Sequence, residues 1–222
     1  MLEAMPDEVV NHAANPSPEQ TTWGVGPWQG EWPTDAHFDP DLLANGDTRN
    51  VLDKYRYWSM PAIVADLDVR RHNFHVAIEN WQHDLNIGSI VRTANAFLAA
   101  EVHIIGHKRW NRRGAMVTDR YQHVRHHNTV EEFIEWAKTA DEGDRLPILA
   151  IDNVPGCSQI ETYAMPKNCV LLFGQEGPGL SEAAIAAADV VLEITQFGST
   201  RSINASAAAA ITMHSWVMQH VF

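Results

Sequence analysis

Cysteine is scarce in this sequence. Cys157 and Cys169 are the two that occur among 222 residues, and they do not form a C-x-x-C pair, so we expect neither a disulfide framework nor a zinc ribbon. Long apolar runs are also missing, and the N-terminal stretch shows no basic segment followed by an apolar one. The sequence therefore predicts no membrane span and no signal peptide, and we expect a cytoplasmic protein without a membrane partner.

Positive charge is in short supply as well. The formal net charge is −12 at pH 7, which argues against a nucleic-acid partner. However, residues 1–50 hold nine acids and one base, a net charge of −8, which leaves −4 for the other 172 residues. Lys108–His127, here called the basic segment, carries six bases and one acid, a local charge of +5. It is either a phosphate-binding surface or a solvated loop. The acids elsewhere in the sequence do not exclude the phosphate-binding surface, because salt limits the reach of charges to about 10 Å.

The composition changes along the chain. Residues 1–70 are acidic and rich in Pro and Trp, and we predict an extension there, with a short helix around Thr48–Met60 and a small strand at Ala62–Ala65. Residues 71–222 are long enough for one α/β domain.

Short apolar strands and helices alternate from residue 74 onward, which predicts a parallel sheet covered by helices on both faces. The predicted strands are Phe74–Asn80, Val102–Gly106, Pro147–Ile151, Asn168–Gly174 and Val190–Ile194. The predicted helices are Ile87–Leu98, Thr129–Ala140, Ser158–Tyr163, Ser181–Ala188 and Ser202–Val221. Binding sites in such sheets lie in the loops beyond the carboxyl ends of the strands.

Three polar stretches follow predicted strands: Asn86–Phe97, Leu171–Ser181 and Ile194–Ala210. The second has three glycines within six residues, which allow either the close approach of a flat ligand or tight packing of a helix start. It matches neither a Walker A loop nor a dinucleotide fingerprint. In the first stretch, Arg92 lies in an apolar helix and needs a partner, which is either an internal acid such as Glu176 or a substrate phosphate.

These stretches resemble, in order and spacing, the motifs of the SpoU group of the SPOUT superfamily, the RNA ribose 2′-O-methyltransferases. The group shows N-x-G-x-x-x-R-T-A-x-x-F, F-G-x-E-x-x-G-L-S and I-P-M-x-G-x-x-x-S-L-N-V-S. This sequence has NIGSIVRTANAF from Asn86, FGQEGPGLS from Phe173 and ITQFGSTRSINAS from Ile194. Thr195 and Gln196 replace the usual Pro-Met, and Ala205 replaces Val.

The resemblance implies a deep C-terminal trefoil knot, the cofactor S-adenosyl-L-methionine, and a homodimer formed through the knotted domain. It also implies methyl transfer to a ribose 2′-hydroxyl of tRNA or rRNA, with guanosine as the expected nucleotide. The implied catalytic residues are Arg92, Asn86, Glu176, Ser202 and Asn204. Because an arginine stays protonated in proteins, we expect Arg92 to hold a phosphate and orient the hydroxyl rather than to act as a base. Cofactor contacts are implied for Leu172, Phe173, Gly174, Gln175, Gly177, Gly179, Ile194, Gln196, Gly198, Ser202, Ile203, Asn204 and Ser206.

An RNA partner would give the basic segment a function. We expect RNA contacts from Lys108, Arg109, Trp110, Arg112, Arg113, Arg120 and Arg125, with Trp110 stacking on a base. His123, His126 and His127 have no acid or cysteine to complete a ligand set, so we expect no metal. Two rival functions are a catalytically silent RNA-binding homologue and a small-molecule enzyme that uses the glycine-rich loop for a nucleotide.

Overall fold

The computed structural model describes residues 24–82, 86–141 and 143–222; residues 1–23 of the predicted extension lie outside this part of the chain. The chain divides after Trp58 into two compact units. Helix α2 (Met60–Asp68) therefore belongs to the second unit, although the sequence places it inside the 1–70 extension.

The first unit is organised by one short helix and one buried acid. Asp39 begins helix α1 (Pro40–Asn45), its carboxylate accepting a hydrogen bond from the Asp41 N–H at 2.9 Å. The Asp47 carboxylate is fully buried and accepts hydrogen bonds from Arg49 Nε at 2.8 Å and from the Tyr57 N–H at 3.0 Å. Burial alone would raise the pKa of Asp47, but these bonds outweigh burial and lower it.

Seven parallel strands form the sheet of the second unit. They are β1 (Phe74–Asn80), β2 (Val102–Gly106), β3 (Val124–His127), β4 (Ile148–Ile151), β5 (Ser158–Gln159), β6 (Cys169–Phe173) and β7 (Val190–Glu193). The order across the sheet is β3-β2-β1-β6-β4-β7-β5, with every pair parallel. Central β1 pairs with β2 and β6, so that Val76 lies opposite both Val102 and Leu171.

Helices cover both faces of this sheet, which is why strands β4 and β6 are continuous apolar runs. Helices α3 (Asn86–Ala96) and α6 (Ala205–His220) pack on one face, through buried side chains such as Ile90 and Trp216. Helices α4 (Val130–Ala137) and α5 (Glu182–Ala187) pack on the other, through Phe133 and Ala184. The predicted parallel sheet with two covered faces is confirmed. Among the described residues, every helix is too short or too polar to cross a membrane.

Several local predictions were wrong. Ala62–Ala65 is part of α2, which Ser59 begins by accepting a hydrogen bond from the Ala62 N–H. The predicted helix at Ser158–Tyr163 is instead β5, which pairs with β7. The helix at Thr48–Met60 reduces to one 3-10 turn, Asp53–Tyr55.

Two further differences concern element boundaries. Strand β3 lies inside the basic segment, where the sequence showed only a loop, because Val-Arg-His-His contains no apolar run. The last helix begins at Ala205 rather than Ser202, because the Asn204 side chain accepts hydrogen bonds from the backbone N–H groups of Ser206 and Ala207.

Candidate functional site

A cavity of about 330 Å³ lies at the carboxyl edge of the sheet, where β4, β6 and β7 end. Predicted cofactor residues that line it are Phe173, Gly174, Gln175, Gly177, Gly179, Ile194, Gln196, Ser202, Ile203 and Asn204. Three others do not line it: Leu172 is buried in the core on the α4 face, Gly198 is exposed, and Ser206 hydrogen-bonds to Asn204. The structure thus brings two of the three polar stretches to one cavity.

The glycine-rich turn, residues 174–179, forms one wall of this cavity. Its backbone conformation and its close internal contacts require glycine. Gln175 and Gly179 exchange two backbone hydrogen bonds, each 3.1 Å long. Gly177 and Gly179 have φ of 97° and 74°, in the left-handed region that favours glycine. A Cβ on Gly174 would lie 2.2 Å from the carbonyl carbon of Gly179. A side chain at position 174 would therefore force the turn to open.

A group of two amides and one carboxylate joins all three polar stretches. Asn86 at the start of α3 donates a hydrogen bond to Glu176 Oε2 at 2.5 Å. Asn204 donates to Asn86 Oδ1 at 2.9 Å and lies 3.5 Å from both carboxylate oxygens of Glu176. Glu176 and Asn204 also line the cavity, together with Ser202. Four of the five predicted catalytic residues thus lie in or beside one polar group.

Arg92, the fifth, lies on α3 six residues after Asn86. Its side chain is exposed, it does not line the cavity, and it makes no hydrogen bond or ion pair with any described residue. The sequence left two possible partners for Arg92, an internal acid such as Glu176 or a substrate phosphate. The structure does not pair Arg92 with Glu176, whose carboxylate is held by Asn86 and Asn204.

The end of β1 supplies three residues that the sequence analysis missed. The fully buried Glu79 carboxylate accepts hydrogen bonds from the Ser181 N–H and Oγ–H, both at 2.7 Å, and from Trp81 Nε1 at 2.9 Å. The Trp81 N–H donates to Gln175 Oε1 at 2.8 Å, and Asn80 Nδ2 donates to the carbonyl oxygens of His107 and Arg109. These three consecutive residues hold both ends of the glycine-rich turn and the start of the basic segment. The signal in the sequence that could have identified Glu79 is an acid near the end of a mainly apolar strand.

The loop after β4 also lines the cavity and was not predicted. Asp152 accepts a hydrogen bond from the Leu180 N–H at 3.0 Å, and a Cβ on Gly179 would lie 2.8 Å from its Oδ2. Asn153 donates to the Arg201 carbonyl oxygen and so ties this loop to the segment after β7. A polar pair directly after a buried parallel strand was the signal that could have found them.

Gln196 carries an unpaired buried atom in the cavity wall. Its Oε1 has no hydrogen-bond partner among the described residues, although the residue lines the cavity. Buried acceptors are nearly always paired, so this oxygen fits the amine or hydroxyl group of a bound ligand.

The basic segment packs directly on α3. A Cβ on Gly88 would lie 2.8 Å from the Ala115 nitrogen, and one on Gly114 would lie 3.0 Å from the Ser89 nitrogen, so glycine allows the two backbones to touch. The exposed basic side chains of the loop before β3 are Lys108, Arg109, Arg112, Arg113 and Arg120. They lie in the loop that packs against the helix carrying Arg92.

Two members of the predicted RNA surface stand apart from these. Trp110 is half-buried and packs against the core, with the Arg112 guanidinium 5.5 Å from its ring centroid. Arg125 lies on β3, where it hydrogen-bonds to Glu101 and sits 5.7 Å from the Trp136 ring centroid. That Trp110 contacts RNA stays a prediction, and the ring available for it is half-buried.

The three histidines considered as metal ligands do not form a set. His123 lies 2.8 Å from Asp68 Oδ1, His126 Nε2 lies 2.8 Å from the Gly106 carbonyl oxygen, and His127 Nε2 lies 3.0 Å from His103 Nδ1. A different group, His75, Glu101 and His103, does bring ligand atoms within 4.8 Å of one another in the described chain.

Fold and site together define an α/β protein with a doubly covered parallel sheet and a polar, glycine-lined cavity at its carboxyl edge. Within that class the chain belongs to the SpoU rRNA Methylase family, whose sequence model matches residues 73–214.

A relative from a comparison of whole sequences matches about two thirds of the chain. The chain is 29% identical over 151 residues to the tRNA (guanosine(18)-2'-O)-methyltransferase of Escherichia coli (strain K12), covering 65% of this chain and 63% of the relative. The chain thus spans somewhat less than two thirds of that relative's length.

Solved structures show the same fold. The SpoU methyltransferase AviRb from Streptomyces viridochromogenes, solved in complex with AdoMet, is 24% identical with a TM-score of 0.61, covering 70% of this chain and 61% of AviRb. The A. aeolicus TrmH/SpoU tRNA modifying enzyme is 19% identical with a TM-score of 0.62, covering 73% of this chain and 82% of that enzyme.

Proposed function

We propose that this protein is an S-adenosyl-L-methionine-dependent methyltransferase that modifies a ribose 2′-hydroxyl of RNA, with a guanosine of tRNA as the expected target and rRNA as the alternative. The observation that carries the proposal is the contact of Asn86, Glu176 and Asn204, which joins three separate polar stretches beside a cavity that two of them line. Family membership and the guanosine 2′-O-methyltransferase among the relatives support it.

The cavity residues fit the proposed cofactor. The glycine-rich turn presents backbone without side chains, which suits a flat purine, and the unpaired Gln196 Oε1 offers an acceptor for an amine. The Asp152 carboxylate, on the cavity wall, is suited to bind ribose hydroxyls. When bound, S-adenosyl-L-methionine supplies a methyl group activated by a sulfonium.

The chain's own residues would then position the acceptor. The exposed Arg92 guanidinium is suited to hold an RNA phosphate and fix the adjacent ribose, because arginine forms charge-assisted, bidentate hydrogen bonds with phosphate. Asn86 and Asn204 hold the Glu176 carboxylate beside the cavity, and Ser202 adds a hydroxyl there. Such positioning replaces a bimolecular encounter by an oriented one, which is a large part of the acceleration in group transfer.

The surface proposed for RNA is formed by Lys108, Arg109, Arg112, Arg113 and Arg120, which belong to the loop packed on α3. A local positive surface on an acidic protein is sufficient for phosphate contacts at short range. Trp110 contributes less because it packs against the core, and Arg125 and Arg112 each already pair with an acid, Glu101 and Asp119 respectively.

We also propose that residues 194–204 and α6 form the knot, that two copies pair through the knotted domain, and that the protein works in the cytoplasm. Support for pairing comes from α6 and the residues after it, where Ile211, Met218, Val221 and Phe222 are 42%, 52%, 45% and 91% exposed. Exposed apolar groups of this kind mark protein interfaces.

The proposed function is tested in two steps. Calorimetric titration of the purified chain with S-adenosylhomocysteine should show one site per chain, and incubation with unmodified tRNA and labelled S-adenosyl-L-methionine should transfer label to a 2′-oxygen. Binding of the nucleoside without transfer to tRNA or rRNA would favour the catalytically silent homologue. Failure to bind S-adenosylhomocysteine at all would reject the proposal.

Gln196→Met, which installs the residue usual at this position in SpoU proteins, should change two measurements in opposite directions. Affinity for S-adenosylhomocysteine should fall about fivefold, because a hydrogen bond to the ligand is lost, whereas the unliganded chain should melt at a higher temperature, because a buried unpaired oxygen is removed. Gln159→Met, at an exposed glutamine of β5 outside the cavity, is the matched control. Unchanged affinity in Gln196→Met would show that Oε1 does not contact the ligand.

A further inference from the structure

A second group of chemically active side chains lies at the edge of the sheet away from the cavity. His75 and His103 are the second residues of β1 and β2, and Glu101 directly precedes β2, so all three lie at the amino ends of parallel strands. The His75 Nδ1 and His103 Nε2 atoms are 3.1 Å apart, and Glu101 Oε2 is 3.7 Å from His103 Nε2. We propose that His75, His103 and Glu101 bind one divalent transition-metal ion, with Zn²⁺ as the best chemical match.

Two of the three ligand separations match a tetrahedral metal site, and the third, between His75 and Glu101, is within 4.8 Å. Two ligands that each lie about 2.0–2.2 Å from a tetrahedral Zn²⁺ are about 3.4 Å apart. The two separations of 3.1 and 3.7 Å bracket this value. Two imidazole nitrogens and one carboxylate oxygen are also a donor set that suits Zn²⁺, with one position left for water.

The surroundings support the ligands in the way that metal sites require. The second ring nitrogen of His103, Nδ1, lies 3.0 Å from His127 Nε2, a contact that holds the orientation of the ring. The Trp136 ring lies against His103 with ring centroids 3.9 Å apart and so shields the site.

Nearby charges set the expected strength of binding. Arg125 donates to both oxygens of Glu101, at 3.1 and 3.0 Å, and its positive charge opposes a cation. The Asp141 carboxylate acts on His75 in the opposite sense and favours positive charge there. We therefore expect Arg125→Gln to strengthen metal binding, because it frees the Glu101 carboxylate and removes a repelling charge. A purely structural hydrogen-bond chain of histidines would not predict that gain.

The test uses the full chain, stripped of metal with a chelator and titrated with Zn²⁺ by calorimetry, and with Co²⁺ while its visible absorption is recorded. We expect one equivalent to bind, the absorption of tetrahedral Co²⁺, and a higher melting temperature with metal. Glu101→Gln and His75→Gln change partly exposed residues and avoid the fully buried His103, so their folds can be checked by circular dichroism. Each should weaken binding by about 10- to 100-fold or more.

His123→Gln is the matched control, because His123 is exposed and lies outside the group. Its affinity for Zn²⁺ should equal that of the unchanged chain, while that of Arg125→Gln should be several-fold higher. No binding by the unchanged chain at about 100 µM Zn²⁺ would overturn the proposal, as would equal affinities in Glu101→Gln, His75→Gln and the control. A confirmed site would replace the sequence-based expectation that no metal binds.

Discussion

Replacing Arg92 by alanine should lower the rate of methyl transfer by about 10²- to 10³-fold while affinity for S-adenosylhomocysteine changes less than about twofold. The guanidinium is exposed, lies outside the cavity, and has no partner among the described residues. Its loss should therefore leave the cofactor site intact and misplace the ribose, for which an error of about 1 Å is enough to cost such a factor. Single-turnover transfer to tRNA and calorimetry with the nucleoside measure the two effects separately.

Two further variants sharpen this test. Arg92→Lys keeps the charge but loses the two-pronged donor geometry, so we expect partial activity, between that of the unchanged chain and that of Arg92→Ala. Arg70→Ala removes an arginine that pairs with Asp66 on α2, and it should transfer methyl groups at the normal rate. Normal turnover in Arg92→Ala would refute the positioning role, and loss of nucleoside binding instead would assign Arg92 to the cofactor.

Replacing Gly174 by alanine should abolish cofactor binding, with an affinity loss of at least about 100-fold. The new Cβ would lie 2.2 Å from the Gly179 carbonyl carbon and 2.4 Å from the Leu180 nitrogen. Both neighbours are backbone atoms, so the turn has to open, and the paired hydrogen bonds between Gln175 and Gly179 are lost. Overpacking of this kind also costs about 1–3 kcal/mol of folding stability. Calorimetry with S-adenosylhomocysteine and thermal melting measure the two consequences.

Gly26→Ala is the matched control for that change. A Cβ on Gly26 meets no atom within 4 Å, so stability and nucleoside affinity should both stay within error of the unchanged chain. If Gly174→Ala folds and still binds S-adenosylhomocysteine normally, the glycine-rich turn is not the cofactor wall, and the cavity has another ligand.

The sequence predicts those strands and helices whose burial requires apolar residues in a regular pattern. Strands such as β6 are apolar throughout because helices cover both faces of the sheet, and α3 shows its helical period because one side packs on the core. The failures share a cause. Strand β3 and the two-residue β5 are edge strands at opposite ends of the sheet, so their residues are polar and give no pattern. The apolar run Ala62–Ala65 would suit a strand or a short helix equally well, and only the cap at Ser59 distinguishes the two.

The site residues that belong to the sequence motifs could be predicted from the sequence. The parallel sheet brings the ends of its strands together, so Glu176, Ser202 and Asn204 were expected near one another and lie at one cavity. Asp152, Asn153 and Glu79 were missed because their importance comes from contacts with residues 28 to 102 positions away. The pairing of Glu176 with two asparagines rather than with Arg92 depends on side-chain geometry, which residue spacing does not determine.

The end of β1 has a consequence for how the two substrates of the proposed reaction bind. Glu79 and Trp81 hold the glycine-rich turn, and Asn80 between them holds the start of the basic segment. A polynucleotide that rigidifies the basic segment would lower the entropic cost of docking the methyl donor, and thermodynamic linkage requires the donor to tighten polynucleotide binding by the same factor. Three adjacent residues would thus make the two substrates assist each other without any direct contact between them.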